Sequence, residues 1–290
     1  MYRLGYNTNG LAHHRLPDAF RLLADLGYRG VAITPDVAGL DPKHLRDGEV
    51  DGLARLAQQL DLELAIETGA RFLLDPTRKH GPNLLDASAE GRARRVDFYK
   101  DCVDLAAGLG APLISLWSGA AHDGRALADV DEGVRGRTLQ RLAEGLLPVL
   151  DHAASAGVRV AFEPEPGMFV ERVEEYRALA QVLGDRGSEL GLTIDVGHLV
   201  VTGEPPVATI EGAADVLVHV HLDDARAGVH EHLMFGQGDL DLPGTLAALA
   251  RIGFEGQAAV ELSRDSHRGH EAAAHALEQL RKAQAPISAD

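Results

Sequence analysis

Hydrophobic positions along the chain follow two alternating patterns. Short apolar runs typical of buried strands are followed by stretches in which apolar residues recur every three or four positions, as in amphipathic helices. The predicted strands are Tyr2–Asn7, Gly30–Thr34, Glu63–Glu67, Leu113–Trp117, Val158–Glu163, Gly191–Asp195, Val216–His221 and Gln257–Glu261. The predicted helices are Asp18–Leu26, Val50–Leu60, Arg92–Leu109, Thr138–Ala156, Val173–Leu183, Leu242–Ile252 and Glu271–Ala283. Regular alternation of this kind indicates parallel βα units.

Glycines stand where several of these helices end, at positions that favour a left-handed cap: Gly27, Gly110, Gly157 and Gly253. Eight βα units in 290 residues fit one α/β domain, a closed (β/α)₈ TIM barrel over residues 1–290. A doubly wound open sheet is the alternative, but the turn after the first strand lacks the glycine-rich phosphate motif of that fold. We also predict an irregular loop over Thr68–Ala89 and a frayed tail over residues 285–290.

Composition narrows the range of partners. The formal net charge is −16, from 44 acidic and 28 basic residues, which disfavours nucleic acid and anionic membrane surfaces and favours small-molecule substrates. The single cysteine, Cys102, lies in a predicted helix, where we expect it to be buried without a disulfide. No apolar run approaches the roughly 18 residues of a membrane span, and the first ten residues lack a signal core. We therefore expect a cytoplasmic protein; the sequence leaves a homo-oligomer open.

Polar residues end four consecutive predicted strands. The fifth to eighth strands end in Glu163, Asp195, His221 and Glu261. In a parallel barrel these strand ends meet at one rim, where three unpaired carboxylates would repel one another. A divalent cation removes that repulsion, and oxygen-rich ligation with one imidazole suits Mn²⁺, Mg²⁺, Co²⁺ or Zn²⁺ without distinguishing them. The pattern therefore predicts a metal site formed by these four residues.

Other polar residues are placed near the same rim. His198 follows Asp195 by three residues, and we expect Gly197 to let the backbone turn sharply so that His198 contacts substrate. His219 shares a strand face with His221 but lies deeper, where it would support the ligands. Glu165 has the same parity as Glu163 and is the rival for the fifth-strand ligand.

The third and fourth strand ends carry further candidates for substrate binding. Glu67 could bond a substrate hydroxyl, and Trp117 could pack against the C–H face of a sugar. Basic residues follow in the loop, at Arg71 and in Arg78-Lys79-His80, where they could neutralise a phosphate or carboxylate. An ordinary solvated loop is the alternative interpretation.

Five short motifs contain these candidates: FEPEPG with Glu163, DVGH with Asp195 and His198, HVHLDD with His221, EHLMFGQGDLD with His232, and VEL with Glu261. In order and spacing, over nearly the whole chain, they resemble the xylose isomerase-like barrel superfamily. That superfamily includes sugar-phosphate isomerases and epimerases, inosose dehydratase-type lyases and metal-dependent apurinic endonucleases.

The resemblance implies a single divalent ion held by residues at the positions of Glu163, Asp195, His221 and Glu261. It also implies that the two glutamates pass the substrate proton as catalytic residues, through a metal-stabilised enediolate. Substrate oxygens would contact His198, His232 and Arg226. The implied function is a metal-dependent sugar or sugar-phosphate isomerase or epimerase acting on a small polyhydroxy substrate.

Three alternatives follow from the same resemblance and composition. A lyase could use the same site to dehydrate a polyol ketone or cyclic keto-acid. An endonuclease would need further metal ions, and His198, His230 and His232 could hold a second one, although that branch has an aspartate where His230 stands. The histidines which that branch carries near the third and fourth strand ends are absent, and the charge of −16 opposes DNA binding. A non-catalytic binding protein that keeps the barrel is the third alternative.

Overall fold

The computed structural model describes residues 2–36, 39–121 and 124–284, and within them the predicted alternation of strands and helices is confirmed. The strands are β1 Arg3–Asn7, β2 Gly30–Ile33, β3 Glu63–Glu67, β4 Leu113–Leu116, β5 Arg159–Phe162, β6 Leu190–Asp195, β7 Leu217–Leu222, β8 Asp224–Arg226, β9 Val229–Leu233 and β10 Gln257–Val260. The helices are α1 Leu16–Leu26, α2 Glu49–Gln59, α3 Ala89–Leu109, α4 Glu132–Ala156, α5 Val173–Val182, α6 Val196–Thr202, α7 Pro206–Gly212, α8 Leu242–Arg251 and α9 Gly269–Gln284.

Eight of the strands form a closed barrel in the order β1-β10-β7-β6-β5-β4-β3-β2, so the predicted (β/α)₈ fold is confirmed. β8 and β9 pair separately as an antiparallel hairpin. By contacts the chain divides into two compact units. The domain boundary at residues 1–290 stays a prediction, and the tail over 285–290 lies outside the described residues.

The first unit comprises Met1–Ile33, Arg55–Leu64 and Leu192–Asp290. Within it β1 pairs in parallel with β2 and β10, β10 with β7, and β7 with β6. The register places Asp195 beside His221, and His221 beside Ala259. Glu261 extends β10 by one step, since its N–H donates to the carbonyl of Leu222 at 3.0 Å. The polar ends of three strands are thereby brought to one level.

The second unit comprises Thr34–Ala54 and Ala65–Gly191. In it β4 pairs in parallel with β3 and β5, and α3 packs against α4. The N–H of Glu163, one residue beyond β5, donates to the carbonyl of Leu116 at 2.8 Å and continues the ladder. Cys102, on α3, is fully buried, as predicted.

Helix ends agree with the glycine pattern but not always with the apolar stripe. Gly27, Gly110, Gly157 and Gly253 all have positive φ, so the predicted left-handed caps are confirmed. Helix α4 begins six residues before the predicted Thr138, because Asp131 accepts a hydrogen bond from the N–H of Val134 at 3.0 Å. The apolar stripe that guided the prediction marks where the helix meets the core and not where it begins.

The sequence pattern missed the β8–β9 hairpin and the short helices α6 and α7. β8 has three residues, and β9 reads VHEHL with a half-exposed face, so neither carries an apolar alternation. Among the described residues, no helix combines the length and the apolar character required to cross a membrane.

One buried hydrogen bond ties the approach to β2 to the last helix. The hydroxyl of Tyr28, fully buried, donates to the carbonyl of Ala273 in α9 at 2.8 Å. We predict that Tyr28→Phe lowers the free energy of unfolding by about 1 kcal/mol, the usual net contribution of such a bond. Urea titration followed by circular dichroism measures the change. The control is Tyr2→Phe, because the hydroxyl of Tyr2 accepts a hydrogen bond from Gln284 at a partly exposed position. Its loss should lower the free energy of unfolding by less. Equal losses in the two variants would contradict the prediction.

Candidate metal centre

The ends of β6, β7 and β10 bring together three of the predicted ligands. Nδ1 of His221 lies 3.1 Å from Oε2 of Glu261 and 3.9 Å from Oδ2 of Asp195. Asp195 and His221 are nearly inaccessible to solvent, at 1% and 2% exposure. These three side chains therefore lie close together, and their role as metal ligands stays a prediction.

A residue from the first strand end, not predicted from the sequence, holds Glu261. Asn9 lies in the short 3₁₀ turn Thr8–Leu11, and its Nδ2 donates to Oε1 of Glu261 at 2.7 Å. The turn is set by Asn7, whose side chain accepts from the N–H of Asn9 at 3.1 Å. One carboxylate oxygen of Glu261 is therefore held by the amide of Asn9, and the other faces the imidazole of His221.

The two oxygens of Asp195 have different surroundings. Oδ1 accepts from the N–H of His198 at 2.9 Å and caps α6. Oδ2 is buried and has no hydrogen-bond partner among the described residues. Three imidazole nitrogens surround it without bonding: Nε2 of His198 at 3.7 Å, Nδ1 of His221 at 3.9 Å and Nδ1 of His232 at 4.0 Å.

The β8–β9 hairpin supplies two more histidines to this cluster. His230 and His232 are two residues apart on β9 and project on the same side of the strand. Nδ1 of His232 lies 2.7 Å from Oδ2 of Asp223, and Nε2 of His230 lies 3.1 Å from Nε2 of His198. His198, His230 and His232 thus have ligand atoms within 4.8 Å of one another, and so do Asp195, Asp223 and His232.

Electrostatic coupling inside the cluster is strong. Burial would raise the pKa of Asp195, but the neighbouring charges of His198, His232 and His221 outweigh it and lower that pKa to about 2. Burial would lower the pKa of His232, but the charges of Glu261, Asp223 and Asp195 raise it to about 10. Burial lowers the pKa of His198 to about 3. The carboxylates therefore favour positive charge on His232, whereas burial disfavours it on His198.

The residues present fit a divalent cation. Ligand bonds of about 2.1 Å allow two ligand atoms of one ion to lie up to about 4.2 Å apart. Nδ1 of His221 lies within that limit of both Oε2 of Glu261 and Oδ2 of Asp195, at 3.1 and 3.9 Å. An unsatisfied buried carboxylate oxygen costs about 1–3 kcal/mol, and coordination would remove that cost.

The role expected for Gly197 is wrong. Gly197 lies within α6 and is absent from the residues of positive φ, so it makes no sharp turn. It is required by close approach, since a Cβ there would lie 2.3 Å from Oδ1 of Asp223, which accepts the Gly197 N–H at 3.0 Å. The glycine thus lets the carboxylate that holds His232 reach the helix backbone.

The sequence pattern missed both Asp223 and its neighbour Asp224, and Asp224 organises the loop after the hairpin. Its buried carboxylate accepts from the backbone N–H groups of four residues at 2.8–3.0 Å: Ala225, Gly236, Gly238 and Leu240. Gly238 is obligatory, because a Cβ would lie 2.3 Å from the Ala225 carbonyl oxygen. The consecutive aspartates in HVHLDD were the available signal: one orients His232 and the other fixes the loop beyond it.

A family model described as xylose isomerase-like TIM barrel matches residues 20–283 of the chain. The chain belongs to this family. The predicted resemblance to the superfamily is confirmed.

Relatives of the chain include an epimerase and a dehydratase, by their names. Fructoselysine 3-epimerase of Shigella flexneri is 27% identical over 259 residues, which cover 86% of this chain and 87% of that protein. The rhizopine catabolism protein MocC of Rhizobium meliloti is 32% identical over 154 residues, but these span only 47% of this chain and 46% of MocC. An inosose dehydratase of Clostridium botulinum is 29% identical over 141 residues, 43% of this chain and 47% of that protein.

Two solved structures share the fold along nearly the whole chain. The structure of an L-ribulose 3-epimerase has a TM-score of 0.78 at 20% identity and covers 100% of this chain and 99% of its own. The IOLI protein, determined with a bound zinc atom, has a TM-score of 0.75 at 20% identity and covers 97% of both chains.

The other site residues that the sequence predicts lie in different parts of the structure. Arg226 is half exposed on the hairpin and bonds Glu231 at 3.2 Å, not the histidine cluster. His219 is fully buried with its ring 5.0 Å from that of His221, in the supporting position expected. Glu67, Trp117 and Glu163 are buried at the ends of β3, β4 and β5 in the second unit. Their participation in one site with Asp195, and the choice of Glu163 over Glu165, stay predictions.

Asp224 provides a test of how the loop is held. We predict that Asp224→Asn lowers the free energy of unfolding by about 2–4 kcal/mol, because the new amide would turn N–H donors toward backbone N–H groups. Thermal and urea unfolding measure the loss. The matched control, Asp239→Asn, alters an exposed carboxylate in the same loop that accepts from one N–H, that of Ala227, and should change stability by less than about 1 kcal/mol. A loss at Asp224 no larger than the control's would refute this role.

Proposed function

We propose that the protein is a divalent-metal-dependent epimerase or isomerase of a sugar or sugar phosphate, acting by proton transfer next to a carbonyl. The names of the relatives support a small polyhydroxy substrate. One observation carries the proposal: the buried Oδ2 of Asp195, without a hydrogen-bond partner among the described residues, faces three imidazole nitrogens.

The ion would be held by Asp195, His221 and Glu261, with Glu163 proposed as the fourth ligand. Glu163 is a buried carboxylate one residue beyond β5, and the strand ends of a parallel barrel point to one rim. When bound, a divalent ion polarises a carbonyl and an adjacent hydroxyl, which makes the neighbouring C–H more acidic. The histidines of the β8–β9 hairpin would bind substrate oxygens or, together with His198, a second ion.

Proton transfer is assigned to the two glutamates. The carboxylate of Glu261 is fixed by the 2.7 Å bond from Asn9, which holds it in one orientation for removal of a substrate proton. Glu163 would return a proton, to the opposite face in epimerisation or to the neighbouring carbon in isomerisation. His198 would contact the substrate's oxygens from the first turn of α6.

Dehydration of a cyclic keto-polyol is the second candidate. It is favoured by the match to inosose dehydratase, which includes 43% of this chain. Both reactions begin with removal of a proton beside a carbonyl, so the same carboxylates serve either. They differ in whether the substrate then regains a proton or loses a hydroxyl.

Solvent isotope exchange tests the proposed reaction. We predict that the protein with added Mn²⁺ in D₂O incorporates deuterium next to the carbonyl of at least one compound in a panel of ketopentoses, ketohexoses and their phosphates, with formation of an epimer or isomer. Glu261→Gln should lower that exchange by about 10²–10⁴-fold, because it removes the proton acceptor. Proton NMR follows the lost C–H signal.

The control is Glu255→Gln, the same change at an exposed glutamate before β10, which should keep the full rate. Loss of water from an inosose, in place of reversible exchange, would assign the protein to the dehydratases. Full exchange by Glu261→Gln would show that another group takes the proton. Absence of turnover on ketoses and inososes alike would sink the proposed reaction.

Metal removal tests the centre separately from turnover. We predict that the purified protein binds a divalent ion stoichiometrically, and that Asp195→Asn weakens the binding at least about a hundredfold by removing a central charged ligand. Elemental analysis and calorimetric titration with Mn²⁺, Co²⁺ and Zn²⁺ measure it. Asp185→Asn, at an exposed carboxylate, is the control and should bind as the unaltered protein does. Wild-type affinity in Asp195→Asn would place the ion elsewhere.

A further inference from the structure

A cavity of about 280 Å³ opens in the second unit, in the loops that follow β3 and β4. Its walls include Lys79, His80, Asn83 and Trp117. His80 is fixed there, since its Nδ1 lies 2.5 Å from the Gly69 carbonyl oxygen and its ring stands edge-on to Trp117 at 5.4 Å. The cavity thus has a rigid aromatic floor beside a polar rim.

The polar groups at the rim are hydrogen-bond donors. Oδ1 of Asn83 already accepts from the N–H of Leu85 at 2.8 Å, and Nδ2 donates one hydrogen to the carbonyl of Ala120 at 3.1 Å. The second hydrogen of that amide has no partner among the described residues, and neither has the Lys79 ammonium group. These two unused donors suit an anionic oxygen.

Two carboxylates near the cavity share one guanidinium, which leaves a single negative charge that Arg71 and Lys79 outweigh. Asp86 accepts from Nη1 of Arg78 at 2.9 Å, and Asp75 accepts from Nε of the same guanidinium at 2.8 Å. Arg71 and Lys79 make no ion pair with any carboxylate of the described residues. In a chain of formal net charge −16, this loop therefore keeps an excess of positive charge.

A buried guanidinium reinforces that charge from behind. Arg95 is fully buried, donates to the carbonyls of Pro82 and His80 at 2.7 Å, and lies 5.3 Å from the Trp117 ring centroid. Within the described ranges it has no carboxylate partner, so its charge acts through a medium that screens poorly. Burial is the main cause that lowers the pKa of His80 to about 4, and the charges of Lys79, Arg95 and Arg71 act in the same direction.

We propose that this cavity is a binding site for an oxyanion, a phosphate or carboxylate group, held by the ammonium of Lys79 and the free amide hydrogen of Asn83. The residues involved all belong to the second unit, and the site does not depend on the identity of the reaction at the metal centre. We expect the anionic group to be carried by a small molecule, because a volume of about 280 Å³ is close to that of small-ligand pockets.

Trp117 is the only tryptophan of the chain and lines the cavity, so its fluorescence reports occupancy directly. The protein is first stripped of metal on a chelating resin, so that phosphate bound to an ion is not counted. Inorganic phosphate, and separately succinate, are then titrated at constant ionic strength set with potassium chloride. We expect a saturable change with at least one of them, and the comparison distinguishes phosphate from carboxylate.

Lys79→Gln should weaken that binding about tenfold, since it removes a charge-assisted hydrogen bond. Lys100→Gln is the matched control: it makes the same change at a helix position of the same unit outside the cavity and should leave the affinity unaltered. Fluorescence that fails to saturate with either anion, or equal affinities for Lys79→Gln and the unaltered protein, would overturn the proposal. Failure of the isotope exchange at the metal centre would not affect it.

Discussion

The first unit is organised around a buried carboxylate that has too few partners of its own. Asp195 ends β6, caps α6 with one oxygen and leaves the other facing imidazoles at 3.7–4.0 Å. A buried anion without a bound cation or donor is expensive, so the surrounding elements are arranged to offset its charge. Histidines from α6, β7 and β9 do so, and Asp223 in turn orients His232. Coordination of a divalent ion would offset the charge of Asp195 further, because it supplies a compact positive charge where the imidazoles converge.

The barrel and the approach of polar side chains at its strand ends could be predicted from the sequence because both follow from simple periodicities. Apolar runs separated by amphipathic stretches specify parallel βα units, and a polar residue that ends such a run must lie at the rim. Asp195, His221 and Glu261 met that description and do converge. The β8–β9 hairpin could not be predicted in this way, since a three-residue β8 and the half-polar β9 resemble an exposed loop. His230 and His232 were visible only through resemblance, because no periodicity required their approach to His198.

Residues that act through the backbone were hardest to foresee. Asp224 bonds four N–H groups of a loop that follows it by up to 16 residues, and nothing in a linear pattern links them. Asn9 approaches Glu261 across 252 residues of sequence, and only the pairing of β1 with β10 brings them together. The function expected of Gly197 failed for a related reason. A glycine can permit an unusual φ or a close contact, and only the position of Asp223 decides between them.

Under the proposed function, chemistry and specificity would lie on different parts of this fold. The carboxylates at the strand ends can remove a proton beside a carbonyl in either an epimerase or a dehydratase, so they do not separate the two. Discrimination must come from groups that recognise the rest of the molecule, and in parallel barrels these lie on the loops. The long loop between β3 and α3 has the character such recognition needs. It carries positive charge held in place by Arg95 and by Arg78 with its two aspartates, within a strongly acidic protein. If the proposed function holds, a change in that loop would alter the substrate while the carboxylates that are proposed to move the proton stay the same.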